Sequence, residues 1–151
     1  MNRIIHEILT LLDDEATRSS VAVRAELATE ARTTMADRVQ LQQVFMNLML
    51  NAIEAMKDLG GELTVKSRLE EGHLLFSVSD TGPGLPAGNG EQIFSAFFTT
   101  KPHGSGMGLA ISRSIVESHG GRLWATSNDG RGATFYFTLP IQVPKSSPLI
   151  A

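Results

Sequence analysis

The chain opens with apolar residues at helical spacing. Ile4, Ile5, Ile8, Leu9, Leu11 and Leu12 stand among polar neighbours, which predicts an amphipathic helix over residues 2–16. The period then changes. In "SVAVRAEL" (20–27), Val21, Val23, Ala25 and Leu27 alternate with their neighbours as in a half-buried strand. Asp37 is suited to cap the long apolar segment that follows, predicting a helix over about 38–58, stopped by Gly60-Gly61. "ELTVKSRLEEGHLLFSVSD" reads as strands 62–69 and 73–79 around a Glu-Glu-Gly turn. Between Asp80 and Gly108 the periodicity disappears and glycine and proline accumulate, so this stretch is read as a loop. "GLAISRSIVESHGG" predicts a helix over about 108–119 with a glycine stop. "GRLWATSNDGRGATFYFTLP" is a closing hairpin turned by Asn-Asp-Gly.

This order of elements predicts a two-layer α/β sandwich: a mixed sheet of about five strands covered on one face by three helices. The chain has 151 residues, which suits one domain over residues 1–140, with 141–151 as tail or linker. Hydrophobic content of 42% and charged content of 19% are those of an ordinary soluble protein. A net charge of −3 speaks against a nucleic-acid or anionic-membrane surface. The absence of cysteine excludes disulfides, thiol catalysis and thiolate metal sites. No apolar run reaches membrane-spanning length, and "MNRIIHEILTLLDDEA" carries acids where a signal peptide needs apolar residues, so a cytoplasmic location is expected. A loop as long as 80–108 is uncommon in a compact domain and is usually functional.

The helix around "FMNLMLNAIEAM" (45–56) carries two asparagines one turn apart. On a helical wheel Gln40, Gln43, Asn47, Asn51, Glu54 and Asp58 fall within about 80° of one another. Apolar residues occupy nearly all the rest of the circumference. A solvent-facing stripe is one reading, but two amides flanked by methionine and leucine are poor solvent residues. Neutral oxygen ligands on a rigid helix suit a hard cation such as Mg²⁺, which keeps its waters and is shared with phosphates.

Two glycine segments follow. In "SVSDTGPGLP", Asp80 ends an apolar strand, where a carboxylate can accept from a ligand amino group, and Gly82 and Gly84 permit close backbone approach. A plain turn is the alternative. "HGSGMGLAIS" places Gly104, Gly106 and Gly108 at a helix mouth, where free N–H groups and the helix dipole favour phosphate. No strand precedes it as a dinucleotide fold requires, and no Gly-Lys-Ser/Thr of a Walker A loop follows. Lys101 could add a cation for a polyphosphate, or be an ordinary loop lysine.

Taken in order, the asparagine helix, Asp-x-Gly-x-Gly, Phe-Phe-Thr-Thr-Lys and Gly-x-Gly-x-Gly-Leu resemble the catalytic and ATP-binding domain of sensor histidine kinases. That domain belongs to the Bergerat-fold superfamily shared with gyrase, heat-shock chaperone and mismatch-repair ATPases. The resemblance runs over about residues 3–140. It implies that Asn51 is a Mg²⁺ ligand with Asn47 beside it, and that Asp80 binds the adenine amino group with Gly82 and Gly84 lining the base pocket. It implies a nucleotide lid over about 83–107 anchored by Phe94, Phe97 and Phe98. Gly104, Gly106, Met107, Gly108 and Leu109, with Lys101, would hold the phosphates of ATP. The implied reaction is transfer of the γ-phosphoryl group to a histidine on a separate dimerisation domain of the same kinase, which serves a response regulator. The fragment alone would be monomeric and would not autophosphorylate.

Three departures stand out. Glu54 occupies a position where many relatives have lysine, so Lys101 is expected to supply that charge. "SAFF" replaces the usual Glu-Pro-Phe-Phe, and the phosphoacceptor hairpin is expected to be missing. His6 lies in a His-Glu pair like that of a phosphoacceptor box, but a strand from about Ser20 leaves no room for the hairpin of two long helices. His73 and His119 read as surface or structural residues, His119 as a cation offsetting a helix dipole. His103 in the lid could touch the phosphates when protonated. ATPase relatives have glutamate at the position of Asn47, and an amide cannot act as a general base. A Bergerat-fold ATPase or serine-kinase switch, kept open by Glu54 one turn beyond Asn51, and a nucleotide-responsive binding module are the alternatives.

Overall fold

The computed structural model describes residues 2–28, 37–57, 59–85, 93–94, 108–128 and 131–141. Within them the chain order is α1 (Asn2–Arg18), β1 (Val21–Glu26), α2 (Arg38–Ala55), β2 (Gly61–Glu70), β3 (His73–Ser79), α3 (Gly108–Ser118), β4 (Leu123–Ser127) and β5 (Ala133–Pro140). The strands form one sheet in the order β1-β2-β3-β5-β4. β1 and β2 are parallel, joined through α2, while every other neighbouring pair is antiparallel. The three helices lie on one face, α1 against β1, α2 against β2 and β3, and α3 against β4 and β5. This is the sandwich expected from the order of periodicities.

Alternation along the strands decides which face the helices cover. Leu63 and Val65 on β2, Leu74, Phe76 and Val78 on β3, and Phe135, Phe137 and Leu139 on β5 all point inward and are buried. The register stacks them in rows, Val65 beside Val78 and Phe76 beside Phe137. Phe45 of α2 drops into this surface. Its ring lies edge-on to Phe76 at 5.4 Å and to Phe137 at 5.1 Å, while the latter two stack at 4.9 Å. Such edge and offset contacts suit the aromatic quadrupole and add to the burial of three large rings.

α2 is the middle helix of the layer. Asp37 caps it, its Oδ1 accepting from the Gln40 N–H at 3.0 Å. Leu41, Val44, Phe45, Leu48, Met49, Ala52 and Ile53 are buried. Arg38 reaches Glu7 of α1 at 2.7 Å, and the Gly61 N–H donates to Ser20 O just past α1, so α1 and α2 run parallel. On its other side α2 is antiparallel to α3, and His119 just past α3 is tied to the N-cap of α2. The His119 Nε2 accepts the Asp37 N–H at 3.0 Å, while Nδ1–H donates to Ile115 O at 2.8 Å. These two bonds need a neutral imidazole, which corrects the reading of His119 as a cation at the α3 terminus: the ring satisfies a terminal carbonyl instead.

Two other expectations are revised. α2 ends at Ala55, short of residue 58. Gly60, at φ +71°, closes the turn by donating its N–H to Met56 O at 2.8 Å. β1 is not half-buried along its length. Val21 is buried, but Val23 is 41% exposed and Ala25 is exposed as well. β1 is the sheet edge and only its start lies under α1, so alternation there signals pairing rather than burial. His73 sits at the β2–β3 turn as expected, its ring against the Glu71 carbonyl. Of the expected tail only Ile141 is described, its N–H donating to Gly72 O at 3.0 Å, and residues 142–151 lie outside the described residues. No helix among the described residues is long and apolar enough to cross a membrane.

Phe45 is fully buried and central to three elements. Phe45→Ala should destabilise the chain by about 3–5 kcal/mol in urea unfolding, the usual loss for removing a buried phenylalanine. A loss below about 1 kcal/mol would mean that the helix layer does not depend on this contact.

Candidate functional site

Asp80 follows the last residue of β3 and is 3% exposed. The β5 partner holds it: the Asp80 N–H donates to Ala133 O at 2.9 Å. Its Oδ1 accepts the Gly82 N–H at 2.9 Å and the Ala133 N–H at 3.3 Å. Both bonds fall on one oxygen, and among the described residues none donates to Oδ2. Burial pushes the Asp80 carboxyl above the ordinary aspartate range, against the opposing pull of the Gly82 and Ala133 N–H groups. A buried carboxylate with one oxygen fixed and the other unused is poised to accept from a ligand donor.

The glycines around Asp80 have different reasons to be there. A Cβ on Gly82 would lie 3.0 Å from the carbonyl oxygen of Ala55, so glycine lets this strand end meet the last turn of α2 without displacing it. Gly132, at φ +95°, leaves no room for a side chain, because a Cβ would collide with the Asp80 carbonyl. Sequence reading did not single out Gly132, nor the polar set beside it. Asn128 Nδ2 lies 3.1 Å from Asp80 O, and Thr134 Oγ1–H donates to Asn128 Oδ1 at 2.6 Å. Asn128 had been read only as a turn residue. The signal available was the polar run Ser79, Asn128, Thr134 at strand ends, meaningful only once the register brings them together.

Asn47 and Asn51 lie on the expected side of α2, both half-buried. The predicted polar stripe is divided by its surroundings. Gln40, Gln43 and Glu54 are exposed, whereas Asn47 faces α3. Its Nδ2 donates to Gly108 O at 3.2 Å and to Ser112 Oγ at 3.1 Å. Asn47 therefore keeps only its carbonyl oxygen for any ligand. Ser112, fully buried, was missed because a serine in "AISRSIVES" gives no hint of its surroundings.

Along α2 the site has a definite order. Gly108 at the start of α3 meets Asn47, Asn51 comes one turn later, and the Ala55 carbonyl meets Gly82 beside Asp80. The eight helical steps from Asn47 to Ala55 span about 12 Å. Among the described residues there is no cluster of three or more His, Asp or Glu able to hold a metal unaided.

Of the three expected lid anchors the structure describes Phe94, which is buried in the core beside Ile93. The Phe94 ring lies edge-on to Phe135 at 6.1 Å, and the Arg113 guanidinium of α3 stands 4.8 Å from its centroid. Gly84, a few residues past β3, and Leu109, in the first turn of α3, are both half-buried. Phe97, Phe98, Lys101, His103, Gly104, Gly106 and Met107 fall outside the described residues, as does most of the expected lid. His6 is exposed on α1, which gives way to β1 at Val21 instead of a second long helix.

Known proteins share this arrangement. A family model described as histidine kinase-, DNA gyrase B-, and HSP90-like ATPase matches residues 36–143. Sensor protein FixL of Bradyrhizobium diazoefficiens is 45% identical over 142 residues, which is 93% of this chain and 28% of FixL. The nucleotide-free catalytic domain of histidine kinase ThkA superposes with a TM-score of 0.83 at 35% identity, covering 93% of this chain and 91% of that one. ThkA in complex with the response regulator TrrA gives a TM-score of 0.80 at 33% identity, covering 94% of this chain and 40% of that one. The chain thus spans under a third of FixL but nearly all of the ThkA catalytic domain. Fold, motif order and relatives agree: the chain belongs to the histidine kinase-, DNA gyrase B- and HSP90-like ATPase family, as a catalytic domain of the sensor-histidine-kinase type.

Proposed function

We propose that the chain binds Mg-ATP and transfers its γ-phosphoryl group to a histidine on a separate dimerisation domain of the same kinase, which then supplies a response regulator receiver domain. The observation that carries this reading is the linear order along α2: a base-reading carboxylate at one end, two amides in the middle, a helix N-terminus at the other. The adenine amino group would donate to Asp80 Oδ2, with Gly82 and Gly84 beside the base. Asn51 and the Asn47 oxygen would hold the metal. Gly108 and Leu109 would face the phosphates, joined by Lys101, Gly104, Gly106 and Met107 of the preceding loop. Magnesium, when bound, would neutralise charge on the triphosphate.

The protein's contribution is positioning. A carboxylate beside the base selects a donor there, so adenine is favoured over a base presenting a carbonyl. Asn47 cannot remove a proton from water, because an amide is not a base and its nitrogen already serves α3. This favours transfer over hydrolysis, although Glu54 lies one turn beyond Asn51. Incubation with γ-labelled ATP separates the readings. Label on a histidine of an added dimerisation domain is the expected result. Label on serine, or rapid phosphate release by the chain alone, would replace transfer to histidine with the switch or ATPase reading.

Asp80→Asn keeps an oxygen for the Gly82 and Ala133 N–H groups but turns an amino group toward the base. ATP affinity measured by calorimetry should fall roughly ten-fold or more, the loss of one charge-assisted hydrogen bond. Unchanged affinity would remove Asp80 from the pocket. Stability should move the other way. The raised carboxyl pKa means that the folded chain holds its proton to higher pH than the unfolded chain does. Stability from this group is therefore lost as pH rises from the ordinary aspartate value through the raised one. In urea titrations the wild type should lose stability relative to Asp80→Asn across that window and stay level above it. A relative gain with pH would mean that the carboxylate is a stabilising group instead.

Asn51→Ala should weaken binding of Mg-ATP more than that of metal-free adenosine. Equal losses would identify a folding defect.

A further inference from the structure

We propose that Ser112 is a positioning residue for the phosphate end of the site: with the Gly108 carbonyl, it fixes the carboxamide of Asn47 so that Oδ1 is turned to a ligand. The inference rests on the nucleotide reading for its function, and on hydrogen-bond chemistry for its geometry.

Amide orientation is usually ambiguous, because the oxygen and nitrogen ends have the same shape. Here it is not. The Gly108 carbonyl can only accept, so the group 3.2 Å from it must be the Asn47 NH₂. Ser112 Oγ takes the same nitrogen at 3.1 Å. Two acceptors account for the two N–H bonds of the amide. With both N–H bonds engaged the amide cannot flip, and Oδ1 is left as the acceptor it can offer a ligand. The direction of the one group that Asn47 can offer a metal or phosphate-bound water is set by α3, not by α2 on which it is carried.

The position of Ser112 supports a specific role. It is fully exposed to neither water nor ligand, with no accessible surface, and its neighbours one turn on, Ile115 and Val116, are core residues. Alanine would pack equally well at such a contact and would not need a polar partner. A buried hydroxyl is stable there because it meets the Asn47 N–H. The Gly108 carbonyl alone would leave one N–H of the amide unpaired and the group free to tilt. Partners that orient a metal ligand in this way are worth roughly 10–100-fold in affinity when removed.

Ser112→Ala tests the proposal. Wild-type chain should bind Mg-ATP, and the variant should bind it roughly ten-fold more weakly while adenosine affinity stays within about two-fold. In an Asn47→Ala background the Ser112 substitution should bring no further loss, because it acts through that amide. Equal weakening of adenosine and Mg-ATP, no weakening at all, or additive losses in the double variant would overturn the proposal. Spectra of the ¹⁵N-labelled chain without ligand give an independent readout. The Asn47 side-chain NH₂ pair, assigned by its absence in Asn47→Ala, should exchange slowly with water in the wild type and faster in Ser112→Ala. Unchanged exchange would overturn the orienting role even where both proteins melt alike. Failure of the wild type to bind Mg-ATP would overturn the nucleotide reading instead, and leave the exchange comparison to decide the strut.

Discussion

A helix that is apolar on most of its circumference has to be buried between neighbours, and that constraint organises this domain. α2 lies between α1 and α3 above the centre of the sheet, with Phe45 seated between Phe76 and Phe137. Its position is held from three sides, so the middle of its polar stripe is turned to α3 at Asn47 while Gln40, Gln43 and Glu54 stay exposed. What would be a hydration surface on an outer helix becomes the wall of a cleft. The rigidity a ligand site needs is a by-product of packing.

The two ends of the cleft are built by different means. At the β3 end, sheet register brings Ser79, Asp80, Asn128 and Thr134 together, and Gly132 allows the hairpin to close over the Asp80 carbonyl. The carboxylate there is buried at an electrostatic disadvantage, with its pKa raised by desolvation. Such a group persists where it has a use. At the α3 end, two neighbouring helices share one amide, and Asn47 is both part of the site and part of the seam. A carboxylate at this position would face the Gly108 carbonyl, acceptor against acceptor.

Much of the fold was legible from periodicity, because a half-buried strand and a one-sided helix must each show their own repeat. The strands around the Glu-Glu-Gly turn and the helix from Gly108 follow directly. Burial of β1 was overstated, since alternation reports the pleat and cannot report that the strand is at an edge. The charge of His119 was misread for a related reason. One of its two hydrogen bonds comes from a partner 82 positions earlier, Asp37, that no local pattern reveals.

The sequence by itself determined the elements, the family and the residue types of the site: two amides one turn apart, an acid at a strand end, glycines where backbones must approach. These are local requirements, written in spacing. Only the tertiary structure decided how the residues divide the work. It assigned the nitrogen of Asn47 to α3, left one oxygen of Asp80 unused, and recruited Ser112, Asn128 and Gly132, because hydrogen bonds and close contacts between distant segments depend on register and helix packing, which no single stretch of sequence contains.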